Sequence, residues 1–205
     1  FTAQITVLTL LGMYLAKMRG ELSRETESRL TNALMDIPAK LASILTQEAE
    51  IEHTARNFAD ARGFFFIGRG LAYPPALEGA LKLKEISYLH AEAYPAGEMK
   101  HGPIALLDKE LPVVALVPKG DLWEKTISNI EESMARKSPI IAIATEGDTE
   151  IGHYSENVLY TPETEPELFP FIAVIPLQLF AYYVARQRGC DIDMPRNLAK
   201  SVTVE

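Results

Sequence analysis

Apolar positions along this chain follow two periods. Phe64–Phe65–Phe66–Ile67, Val113–Val117 and Ile140–Ala144 are short runs without a polar break, the pattern of strands covered on both faces of a parallel sheet. His90–Tyr94 and Val158–Thr161 read as two further short strands. Between them, Leu77–Leu89, Ala96–Leu107 and Leu122–Lys137 have helical length, and Trp123, Ile127, Ile130 and Met134 give the last a core face. Leu168–Arg188 is a long apolar helix in which Pro176 predicts a kink. Upstream, Ile5–Met18 reads as a core helix, and Glu21–Asp36 as a charged helix stopping at Ile37–Pro38. Ala39–Ala61 follows as another helix, with Leu41, Ile44, Leu45, Ile51 and Phe58 as its apolar positions. Strands separated by helices predict an α/β fold, a parallel sheet with helices on both faces, preceded by helical segments.

The segment Leu77–Leu89 carries the strongest chemical signal. At about 100° per residue, Glu78, Lys82 and Glu85 fall within an arc of roughly 60°. Leu77, Ala80, Leu81, Leu83, Ile86 and Leu89 occupy most of the remaining circumference, and a helix apolar nearly all round is expected to be buried. The stripe reads either as a tuned ionisable site or as an ordinary Glu-to-Lys pair on a solvated face. Just before it, Gly68–Arg69–Gly70 links a strand to the helix. Such a turn either presents backbone amides to an anion or simply reverses the chain tightly.

Composition narrows the partners. A net charge of −8 over 205 residues argues against nucleic acid and anionic membrane surfaces, though not against a phosphorylated ligand held locally. The single cysteine, Cys190, allows no internal disulfide and no cysteine-based metal site, which points to a reducing, cytoplasmic setting. Asp191 and Asp193 read as turn residues rather than metal ligands, and His53 and His153 lie in polar connectors and are assigned no role. The chain opens on Phe1 within a helical pattern, as a fragment would, and the apolar run there is shorter than a membrane span.

Three stretches together carry a resemblance. They are Gly68–Arg69–Gly70 with Ala76–Glu85, then Glu98–Met99–Lys100–His101–Gly102–Pro103, then the tail from Pro195 to Glu205. They resemble the C-terminal part of the glutamine–fructose-6-phosphate aminotransferase (isomerising) family, the glucosamine-6-phosphate synthases. The helix and the His-Gly-Pro pattern are shared more loosely with other sugar isomerase (SIS) domains, and the tail is the more specific part.

The resemblance implies a division into residues 1–20, the closing helix of a preceding SIS domain; 21–61, a helical connector; 62–190, a second SIS domain; and 191–205, an active-site tail. It also implies a glutaminase domain and a first SIS domain in the same parent chain, a homodimer, and fructose 6-phosphate and glucosamine 6-phosphate as ligands. No metal or organic cofactor is implied. By the same resemblance Glu85 is the carboxylate that shuttles a proton between C1 and C2 of the sugar. His101, supplied by the neighbouring subunit, opens the ring, and Lys200 meets the open-chain carbonyl. Glu78, Lys82, Ala199, Gly68, Arg69 and Gly70 are supporting or binding residues. The expected activity is the isomerising half of glucosamine 6-phosphate synthesis from fructose 6-phosphate and glutamine, with the chain alone inactive because the phosphate loop lies in the first SIS domain. Two rivals are a sugar-phosphate-sensing SIS module of a transcription regulator and a related phosphosugar isomerase or deglycase. Joint presence of Glu85, His101 and Lys200 speaks against the first, and the tail against the second.

Overall fold

Phe64 and Phe66 point to one side of a central sheet and Phe65 and Ile67 to the other, so a single apolar strand seeds two cores. A computed structural model of the chain describes residues 1–196 and 198. Its strands are β1 (Gly63–Gly68), β2 (His90–Pro95), β3 (Val113–Val117), β4 (Ile140–Thr145) and β5 (Asn157–Thr161), all parallel in the order β2-β1-β3-β4-β5. Helices α1 (Thr2–Met18), α2 (Arg24–Leu45), α3 (Glu48–Phe58), α4 (Tyr73–Ser87), α5 (Trp123–Met134) and α6 (Phe169–Gln187) complete the chain. The α/β class and both-face coverage agree with the sequence pattern. From β1 the chain steps to β2 on one side and later to β3 on the other, which opens a crevice between the carboxyl ends of β1 and β3.

Helix α6 lies in the larger core against α2, α3 and α4. Together with the turn before it, the segment Pro166–Gln187 is apolar and long enough to cross a membrane by length and composition, yet most of it is buried inside the protein. Burial also explains why Pro176 sits within α6 without ending it. A proline inside a helix costs about 3 kcal/mol, and each large side chain packed here, such as Phe171, Leu177 and Phe180, returns roughly 1.5–3 kcal/mol.

Four sequence expectations need correction. Helix α2 runs straight through Pro38, because Leu30, Ile37 and Ile44 recur every seven residues and keep one face anchored on both sides of it. The break falls later, at Thr46–Gln47. The expected helix Ala96–Leu107 is two 3₁₀ turns, Ala96–His101 and Pro103–Leu106, parted by Gly102 at φ +142°. Helix α1 is not a core helix in this chain: none of its residues is buried, and Leu8, Leu11, Tyr14 and Leu15 are exposed. Met134, expected on the core face of α5, is also exposed, while Ile127 and Ile130 are buried as expected.

Candidate active site

Helix α4 sets the orientation of the ionisable stripe. Its first turn contains Pro74 and Pro75, which need no intrahelical N–H partner there. Ala76, Gly79, Ala80 and Leu83 form its buried face. A Cβ on Gly79 would stand 3.0 Å from both Leu177 Cδ1 and Phe66 Cε1, so α4 lies close against α6 and β1. With that face fixed, Glu78, Lys82 and Glu85 turn outward and remain half-buried, their side chains 17%, 33% and 26% exposed. Lys82 Nζ is 2.6 Å from Glu85 Oε2 and 3.8 Å from Glu78 Oε1, so one ammonium serves two carboxylates. The helix is not buried all round as expected. Leu77 and Leu81 are exposed beside the stripe, leaving an open, partly apolar face around the charges.

The turn Gly68–Arg69–Gly70 lies at the other end of α4. Glu85 is twelve helical steps on from Tyr73, about 18 Å of rise, so the two sets do not meet in one small site. Gly68 makes a tight reversal, since a Cβ there would be 2.4 Å from the Ala72 carbonyl oxygen, and Gly70 takes φ +53°. Arg69 donates from Nε and Nη2 to Asn129 Oδ1 at 3.1 and 3.0 Å, and lies across Gly97, where a Cβ would be 3.2 Å from Nη2. Lys100 pairs with Glu132 at 2.7 Å. These contacts tie the turn carrying His101 to β1 and α5. His101 itself is 74% exposed, 4.0 Å from Glu98, and beyond the carboxyl end of β2, away from Glu85 of its own chain.

The last described residues arrive at the Glu85 end of α4. Tyr88 caps that helix in the left-handed region at φ +60°, a conformation costing a non-glycine residue roughly 1–2 kcal/mol. Its hydroxyl accepts the backbone N–H of Arg196 at 2.8 Å, and the Arg196 guanidinium lies 4.3 Å from the ring centre. Lys200 and Ala199 lie outside the described residues. Asp191 Oδ1 accepts the N–H of Met194 at 2.9 Å, a turn contact.

Comparison with known proteins places this arrangement. The SIS domain model matches residues 57–187. This chain belongs to the SIS domain family. It is 52% identical over its whole length to a glutamine–fructose-6-phosphate aminotransferase (isomerising) of Thermus thermophilus, of which it covers 34%. To the enzyme of the same name from Methanosarcina mazei it is 51% identical, again over its whole length and 33% of the relative. The C-terminal domain of glucosamine-fructose-6-phosphate aminotransferase from Francisella tularensis superposes with a TM-score of 0.89 at 40% identity, over 95% of this chain and 55% of that one. The chain thus spans about a third of the length of the curated relatives it matches.

The sequence pattern gives no role to Tyr88 or Asn129 of this SIS domain, or to Arg196 beyond its matched residues. Asn129 carried little signal: it lies about 100° or more from the Trp123, Ile127 and Ile130 face that the helical period picks out, and is buried nonetheless. Tyr88 carried none, because a left-handed cap at a tyrosine follows from no local pattern.

Proposed function

We propose that this chain is the sugar-isomerising part of a longer, cytoplasmic, homodimeric enzyme that makes glucosamine 6-phosphate from fructose 6-phosphate and glutamine. The observation that carries the reading is the Lys82–Glu85 pair, 2.6 Å apart on an open face of α4 one turn from the Tyr88–Arg196 contact. From Arg196, four residues reach at most about 14 Å, enough for the Lys200 amine to approach the same face. There, Glu85 takes the proton from C1 and returns it at C2, and Lys82 holds the carboxylate in place. Lys200, once neutral, condenses with the open-chain carbonyl and releases water, and His101 of a second copy opens the ring. Glu78 supports Lys82 from the previous turn. Leu77 and Leu81, exposed beside the charges, offer a surface for the first SIS domain of the parent to cover and dry. A sensing module would need neither a base nor an amine. The test is Glu85→Gln in the full-length protein, expected to lower kcat for isomerisation by about 10²-fold or more with KM little changed. Unchanged kcat would remove Glu85 from the role. The 205-residue chain alone should yield no glucosamine 6-phosphate.

A further inference from the structure

The segment Ala96–His101 is a 3₁₀ turn, in which residues three apart lie one above the other, so its six side chains form three rows. Ala96 and Met99, both buried, form the row on the core. Gly97 and Lys100 form the second row, which is held from α5 and from the end of β1. Lys100 Nζ is 2.7 Å from Glu132 Oε1, while Glu132 Oε2 accepts from Asn129 Nδ2 at 3.4 Å. Asn129 Oδ1 in turn accepts both Arg69 bonds, and a Cβ on Gly97 would stand 3.2 Å from the same guanidinium. Glu98 and His101 are the third row, with side chains 63% and 74% exposed. Their separation of 4.0 Å is too long for a hydrogen bond, so the imidazole is placed by the turn beneath it.

We infer that Glu132 and Asn129 are positioning residues for isomerisation: they fix the orientation of the turn from which His101 reaches the site of a second copy. The inference rests on the isomerase reading. Asn129 is buried, and a buried amide needs partners at both ends. With Oδ1 taken by Arg69, Nδ2 is left facing the Glu132 carboxylate, so the amide has one orientation and holds Glu132 where Lys100 meets it. Folding stability does not account for the Lys100–Glu132 pair. Lys100 is 60% exposed, and an ion pair so open to water contributes little to it. The pair instead opposes rotation of a short turn whose own hydrogen bonds have poor geometry. Rotation about the buried row displaces the outermost row most, and that row bears His101.

Isomerisation kinetics of the full-length protein test this. Glu132→Ala and Lys100→Met should each lower kcat by about tenfold, with KM and Tm little changed. The double variant should be no slower than either single one, because both break one contact. Asn129→Asp, which sets a second carboxylate oxygen against Glu132, should lower kcat in the same way. Refolded together with Glu85→Gln, Glu132→Ala should recover roughly a quarter of the normal rate, since one site in each mixed dimer then has an intact Glu85 and a correctly held His101. Refolded with His101→Ala, it should stay below about a tenth. A normal kcat for Glu132→Ala, or recovery with His101→Ala in place of Glu85→Gln, overturns the proposal. A normal kcat for Glu85→Gln sinks the isomerase reading and this inference with it, whereas a normal Glu132→Ala beside an inactive Glu85→Gln sinks the inference alone.

Discussion

Glu85 and His101 of one chain stand at different ends of the sheet. Glu85 is in the last turn of α4, and His101 follows the carboxyl end of β2, whose six residues carry the chain about 20 Å back along the sheet. A base and a ring-opening group that act on one sugar therefore come from two chains if both act.

That relationship predicts complementation. Full-length Glu85→Gln and His101→Ala proteins should each be nearly inactive in isomerisation. Unfolded and refolded together, they form mixed dimers in which one site carries both defects and the other carries none. Random pairing then restores roughly a quarter of the normal activity. Recovery of nothing from the mixture would show that each subunit uses its own histidine or none.

The close contact of α4 with α6 predicts an unusual response at Gly79. Alanine is the better helix former by about 1 kcal/mol, but its Cβ would meet Leu177 and Phe66 at 3.0 Å. Both neighbours are buried in the larger core and have nowhere to retreat, and overpacking of that kind costs about 1–3 kcal/mol. Gly79→Ala should therefore lower Tm, whereas Gly12→Ala in α1, with nothing within 4 Å of its Cβ, should raise it. A rise in Tm for Gly79→Ala would mean that α4 is free to move off α6.

Much of this was legible in sequence. β1, β3 and β4 lie within one residue of the expected spans because strands apolar on both faces leave no competing period. Glu78, Lys82 and Glu85 share a face as the helical spacing requires. What failed were inferences from single residues to tertiary context. Pro38 reads as a stop only until Leu30, Ile37 and Ile44 are seen to hold the helix from both sides. Leu77 and Leu81 read as core only because periodicity says which residues share a face, not which surfaces arrive to cover it.

Alkaline stability follows from two tyrosines. The hydrogen bond from Tyr183 to Glu48, with burial, pushes its hydroxyl up to about 12. Burial, with a hydrogen bond to Glu92, pushes Tyr94 up to about 12 as well. Both groups hold their protons more tightly folded than unfolded, so their contribution is whole below about pH 10 and is lost as pH rises toward 12. Tyr183→Phe should cost about 1 kcal/mol at neutral pH, the net worth of one hydrogen bond, and should flatten the fall in stability above pH 10. Denaturant midpoints at pH 8 and at pH 11 measure it, and an unchanged slope would show that Tyr183 ionises as freely in the fold as in the unfolded chain.

The tail gives the last prediction. Tyr88 adopts φ +60° where glycine would adopt it without strain, so its side chain is retained at the expense of the backbone. The side chain touches Arg196, through the hydroxyl at 2.8 Å and the ring face at 4.3 Å. If that contact serves to aim the residues that follow, the substitution Tyr88→Gly should separate stability from catalysis. Relief of the left-handed strain offsets the lost packing, and Tm should change little. Isomerisation in the full-length protein should fall by about tenfold, as expected when a reacting group is no longer oriented. Deleting residues 198–205, which removes Lys200 altogether, should abolish isomerisation while glutamine hydrolysis by the parent remains measurable. A Tyr88→Gly protein with normal kcat, together with a truncated protein that still makes glucosamine 6-phosphate, would assign the Tyr88–Arg196 contact to chain packing alone.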